Sequence, residues 1–196
     1  VKKRKPLQIV VLVLSLGAIL LGIGCIYQVA HGMWEYNQEA VREVSIYHPV
    51  ANSVATKALD SMYPKYPADG DYIGSMTMLD QKMSIYQGWN VKELAEGVGH
   101  DDNSVLPGEK DNCVVAGHRE TVFKYLGKLT IGDRITFQTG AGIFVYQVTS
   151  TKIVKANDQS AIFSTAPKAT LTLITCYPFN TPGYYPDRYI VYAALV

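Results

Sequence analysis

The sequence predicts a mostly β protein: a closed or nearly closed barrel of short strands behind one N-terminal transmembrane helix. Three observations predict it. From residue 71 onward, short runs rich in β-branched and aromatic residues alternate with turn signals. The helix-forming segments between them are brief. Ahead of them, Ile9 to Tyr27 runs without a charge, behind the basic cluster Lys2, Lys3, Arg4 and Lys5.

At about 1.5 Å per residue that run spans roughly 28 Å, close to the thickness of a bilayer's hydrocarbon core. A membrane anchor fits better than a cleaved signal peptide, whose apolar region is shorter and ends in a small-residue site not seen here. Gly24-Cys25 suggests a lipoprotein signal only weakly, because Gly22 stands where such signals carry Leu. Basic residues before the anchor place residues 1–30 as a cytoplasmic tail and single span, with the rest outside the cell.

Residues 31–70 read as an extracytoplasmic stalk, helical or flexible. WEYNQEAVREVSIY carries helix formers, Pro49 interrupts, and VANSVATKALDSM can restart a helix. PKYPADGD reads as a linker, so the folded domain spans 71–196. In it, YIGSMTM and KMSIYQG form two strands around a turn at Leu79, Asp80 and Gln81. VKELAEG is a short helix with Asn90 as N-cap. DNCVVAG is a buried strand and TVFKYLGKL a helix ending near Gly127. RITFQ and IFVYQVTSTKIV flank a hairpin turn at Thr139 to Gly142. TLTLIT and RYIVYAAL are the last strands.

Composition excludes several functions. Beyond the anchor lie 14 basic and 17 acidic side chains, a formal charge of −3, and no basic patch suited to nucleic acid. The cysteines are Cys25, Cys113 and Cys176, without C-x-x-C or His-rich spacing, so no metal or cofactor is expected. Glu93, Glu96, Asp101, Asp102, Glu109 and Asp111 read as a solvated acidic loop.

Cys176 ends a strand, in TLTLITCYPF. It is either a small buried hydrophobe or a nucleophile that a rigid strand end presents to substrate. A nucleophilic thiol needs a partner to ionise near neutral pH, commonly a histidine. His118, in CVVAGHRET, also follows an apolar strand. His48 sits beside Pro49 and reads as solvated. His100, in GVGHDDNS, reads as a loop residue anchored by hydrogen bonds. Attack on a carbonyl builds negative charge on oxygen, and Arg188, opening an otherwise apolar strand, is a candidate donor.

TLITC with an Arg on the next strand, an upstream NCVVAGHRET, GVGH followed by Pro107-Gly108, and YIGSMTM…MSIYQG together resemble the sortases. These are cysteine transpeptidases on the outer face of Gram-positive membranes. The resemblance covers roughly residues 71–196 and the anchor. It implies an eight-stranded sortase-type barrel, with Cys176 as nucleophile, His118 as general acid/base and Arg188 as donor to substrate and oxyanion. It also makes Thr175 a holder of the substrate carbonyl. His100 and Tyr184 are further candidates for substrate contact, with anchoring and loop packing as their plainer alternatives. CYPF and DRYIVYAAL look most like class D sortases, and the lack of any Asp-Pro dipeptide argues against a pilin polymerase. MTMLDQKMS departs from the family's usual Pro-containing turn.

The implied activity is cleavage of an LPxTG-like sorting signal after Thr, through a thioester on Cys176, and transfer to a cell-wall amine. The implied partners are secreted proteins bearing such a signal and a peptidoglycan precursor amine. Two other readings stay open. One is a non-catalytic tethered adhesin or receptor, in which Cys176 is inert or disulfide-bonded to Cys113. The other is a hydrolase that cleaves the signal without transfer.

Overall fold

The computed structural model describes residues 6–46, 62–179, 181 and 185–196. It separates into two compact units, one within the first 42 residues and one in the remainder. The first is a single helix, α1 (Pro6–Ile46). Pro6 suits a first turn, where its missing N–H is no loss. Val10–His31 is long and apolar enough to cross a bilayer, and the large apolar side chains of that stretch are exposed. The expected boundary between anchor and stalk at residue 30 falls inside this continuous helix. The expected helix restart over VANSVATKALDSM lies, but for Met62, outside the described residues.

The second unit is built on β1 (Tyr72–Met78), β2 (Gln81–Gln87), α2 (Val91–Glu96), β3 (Val98–His100), β4 (Asn112–Ala116), β5 (Arg134–Thr139), β6 (Gly142–Lys155), β7 (Thr170–Tyr177) and β8 (Asp187–Leu195). The eight strands close into a barrel in the order β1-β2-β3-β4-β7-β8-β6-β5. Most neighbours are antiparallel, but β2 with β3 and β4 with β7 run parallel. Residues at φ 46° and 59°, Leu79 and Asp80, turn β1 into β2, the left-handed pair that a two-residue hairpin requires.

Alternation along the strands sorts side chains into two apolar layers. Cys113, Val115, Leu171, Leu173, Val191 and Ala193 fill the barrel with Ile85, Phe137 and Tyr146. Val114, Ala116, Ile174 and Ile190 face outward, under Trp89, Leu94 of α2 and Ala161. The outer face of β4, β7 and β8 is therefore covered too, which is why these strands read as continuous apolar runs.

Four local expectations are revised. A three-residue strand, β3, was not expected, because its Gly99 lacks β character. Gly99 is needed there: a Cβ would meet Trp89 Cα at 2.8 Å. TVFKYLGKL is not an α-helix but a chain of tight turns ending in a 3-10 segment, Leu126–Lys128. Its buried residues Phe123, Leu126 and Leu129 recur every third position, which is the 3-10 period. Asn90 precedes α2 but makes no side-chain cap; it donates to Asp69 Oδ2 at 3.1 Å instead. The expected linker, residues 64–71, is docked through Tyr66, and Tyr63 just before it is docked as well. Tyr63 Oη donates to Pro107 O at 2.9 Å, and Tyr66 Oη to Ser104 O at 3.3 Å.

Candidate active site

Register brings three of the expected residues to one rim. Ala116 pairs with Ile174 across the parallel β4–β7 ladder, and Ile174 pairs with Ile190 across β7–β8. These three form the last row of the outer apolar layer. Two positions further towards the same rim, on that face, come Cys176 and Arg188, while His118 lies two residues past the end of β4. Cys176 and Arg188 are direct register partners. On the other side, Gly117 N donates to Ile174 O at 3.2 Å, which carries the ladder past the end of β4 as far as the residue before His118.

Thr175 faces the opposite way from Cys176. It is 3% exposed, and its hydroxyl donates to Gly117 O at 2.7 Å. This bond ties the strand bearing Cys176 to the exit that delivers His118. The carbonyl of His118 accepts from Phe123 N at 3.0 Å and Thr121 N at 3.3 Å, which sets the following turn beneath it. Gly117 permits that approach, since a Cβ there would meet Val122 Cγ2 at 2.8 Å.

The half-buried imidazole of His118 has its pKa held below the ordinary 6.5 by burial, an effect that the charge of Glu120 partly opposes. The ring is then neutral near pH 7, ready to accept a proton. Arg188 is buried, with Nη1 donating at 3.1 Å to the carbonyls of both Tyr185 and Asp187. All three cysteines are free; Cys113 is fully buried and Cys176 half-buried. The disulfide form of the non-catalytic reading, Cys176 bonded to Cys113, is therefore not formed.

His100 stands apart. It is wholly buried on β3 rather than in a loop. One ring nitrogen meets Gln87 Oε1 at 2.9 Å, and the other meets Val105 O at 2.9 Å and Ser104 Oγ at 3.1 Å. It offers no surface to a substrate and serves as an anchor for the β3–β4 connection. Tyr184 lies outside the described residues.

The acidic stretch is not a uniformly solvated loop. Glu93 and Asp101 are buried, and Asp101 is pushed up to about 6 by burial. Asp111 Oδ1 accepts the amides of Thr165 and Ala166, which fastens the β6–β7 connection. Among the described residues no three His, Cys, Asp or Glu side chains are grouped to hold a metal ion.

Sequence reasoning quoted Arg119 within GHR but gave it no role. Its guanidinium reaches the β7–β8 connection, donating to Pro178 O and, at 2.7 Å, to Thr181 O. It also lies 3.4 Å from the centroid of the Tyr185 ring. The signal available was its place beside His118.

Comparison with known proteins agrees with this geometry. A family model described as a sortase domain matches residues 75–196. Sortase D of Bacillus subtilis is 39% identical over 118 residues, 60% of each chain. The alignments span 60% of the length of the curated relatives matched. A sortase D5 transpeptidase of Clostridium perfringens superposes with TM-score 0.60 at 29% identity, over 67% of this chain and 82% of its own. Sortase C from Clostridium perfringens SM101 gives the same score at 28% identity, over 66% and 72%. The barrel thus spans classes, while class D likeness rests on the closer sequence match. With the family model covering the whole rim that bears His118, Cys176 and Arg188, this chain belongs to the sortases, the family of cysteine transpeptidases.

Proposed function

We propose that the protein is a membrane-anchored transpeptidase that cleaves an LPxTG-like signal after its Thr and transfers the acyl group to a cell-wall amine. The observation that carries this reading is the direct pairing of Cys176 with Arg188 across β7–β8, with His118 two residues past the end of β4, the strand that pairs with β7 on its other side. The Cys176 thiol gives its proton to neutral His118 and attacks the Thr carbonyl. The oxyanion develops near the Arg188 guanidinium. His118 passes its proton to the leaving amine and a thioester remains. An acceptor amine then attacks, His118 takes its proton, and thiolate leaves to be reprotonated. Two easier acyl transfers replace one, and acyl energy passes to the acceptor. Val10–His31 supports a single span with the basic tail in the cytoplasm, which would keep the barrel where secreted clients and lipid-linked wall precursors meet.

The test uses the full chain in detergent, with LPxTG-like peptides and with or without a glycine- or diaminopimelate-type amine. Mass spectrometry should find cleavage after Thr, an acyl adduct that is lost in Cys176→Ala, and an amine-linked product. Cleavage with free acid only would make the enzyme a hydrolase. A folded protein giving neither adduct nor cleavage across the panel would refute the reading.

A further inference from the structure

The Arg119 contacts play no part in the mechanism above, yet they are costly to assemble. The side chain is only 5% exposed, and a buried cation persists only when its donors are satisfied. Nε donates to Glu120 Oε1 at 2.6 Å. The two terminal nitrogens go to main-chain carbonyls of the β7–β8 connection, Pro178 O and Thr181 O. The guanidinium plane stacks on Tyr185. Glu120 is half exposed, so that ion pair contributes little; the carbonyls and the ring define the geometry.

These contacts fall at both ends of the connection. Pro178 follows Cys176 by two residues, and Tyr185 precedes Arg188 by three. Tyr185 is itself buried and held from two sides: Arg119 lies on its ring, and Arg188 Nη1 donates to its carbonyl at 3.1 Å. A residue adjacent to His118 is thereby linked through one tyrosine to the guanidinium opposite Cys176. Arginine suits this task because its planar fork can serve two carbonyls and stack at once, which an ammonium cannot.

We infer that Arg119 is a positioning residue for the transpeptidation: it clamps Pro178, Thr181 and Tyr185 and, through Tyr185, sets the Arg188 guanidinium against the Cys176 row. This rests on the proposed function. Arg119 does not touch the reacting atoms; it fixes the donor that does.

The experiment compares full-chain wild type with Arg119→Ala, Arg119→Lys, Tyr185→Leu and Tyr185→Phe. A misplaced donor should lower kcat about 10- to 100-fold in Arg119→Ala and Tyr185→Leu, with KM moving less than about threefold. Arg119→Lys keeps the charge but should not restore kcat. Tyr185→Phe keeps the ring and should recover most of what Tyr185→Leu loses. The double variant Arg119→Ala/Tyr185→Leu should be no slower than either single one, because both break the same link. Alkylation of Cys176 by iodoacetamide, which needs no oxyanion donor, should stay within about threefold of wild type.

Hydrogen exchange supplies an arm independent of turnover. The amides of Phe179, Thr181 and Tyr185 should exchange faster in Arg119→Ala, while those of β4 and β7 do not. Unchanged exchange at these three overturns the clamp. Unchanged kcat, additive losses, or a kcat loss matched by slower alkylation overturns the positioning role. Should Arg119→Ala fail to fold, Arg119→Lys and the Tyr185 pair carry the same comparisons. No turnover by wild type, with the exchange difference present, refutes the proposed function and not the clamp.

Discussion

Cys113 and Cys176 lie on adjacent strands of the same barrel and share almost nothing else. Cys113 sits near the start of β4 and points inward among Val115, Leu171 and Tyr146. It is wholly buried, and loss of solvent pushes its thiol well above the ordinary range. Cys176 sits one residue from the end of β7 and points outward, half-buried, directly opposite Arg188. Residue type is identical; face and height along the strand decide the chemistry. A thiol surrounded by hydrocarbon is held neutral, whereas one at a rim beside an imidazole and a cation can become a nucleophile.

The largest expected effect separates the two directly. Cys176→Ala should abolish turnover with little change in Tm. Cys113→Ser should keep turnover but lower stability by about 1–3 kcal/mol, since it buries a hydroxyl among apolar groups. Urea unfolding and peptide cleavage read both arms, and turnover surviving Cys176→Ala would erase the distinction. Arg188→Ala should next cost about 10²–10³ in kcat/KM, the loss typical of one oxyanion donor. Wild-type kcat/KM in that variant would leave the register pairing without catalytic meaning.

Smaller effects concern protonation. In Cys176→Ala the His118 ring should titrate below 6.5, followed by NMR, and Glu120→Gln should lower it further by removing the charge that opposes burial. A midpoint at or above 6.5 would mean that the ring is more hydrated than the fold implies. The smallest effect is far from the rim. Asp101 binds its proton more tightly folded than unfolded, about 6 against 3.8. Its contribution to stability is therefore complete below 3.8 and is lost as pH rises through about 6. Asp101→Asn should gain on wild type in urea midpoint across that window, and a constant difference would contradict it.

What could be read in the sequence follows from how local each signal is. Strands whose alternation or apolar run is their own property, such as YIGSMTM and TLTLIT, were legible to within a residue or two. So were the hairpin at Thr139 to Gly142 and the strand-end placement of Cys176, His118 and Arg188. β3 was not, because three residues carrying a glycine make a strand only when β2 and β4 already flank them. Residues 121–129 contain helix formers, and only the barrel's demand for a buried residue every third position selects the tighter winding. Tyr63 and Tyr66 sat in a Pro-rich stretch with linker composition, and their docking depends on carbonyls about 40 residues away. The task of Arg119 was invisible for the same reason, its carbonyl partners lying about 60 residues on, whereas the anchoring of His100, held by the nearby Ser104 and Val105, was read from its loop-like surroundings.

The parallel ladder between β4 and β7 has a consequence for how such a protein can vary. Five successive pairs, from Asn112 with Thr170 to Ala116 with Ile174, set the height of His118 relative to Cys176. The β5–β6 hairpin, further along the chain, takes no part in those pairs. The ladder works as a ruler whose two marks are fixed locally. Insertions or deletions at the Thr139–Gly142 turn should leave the distance between base and nucleophile as it is. A single-residue slip within the five pairs would move one of them off the row.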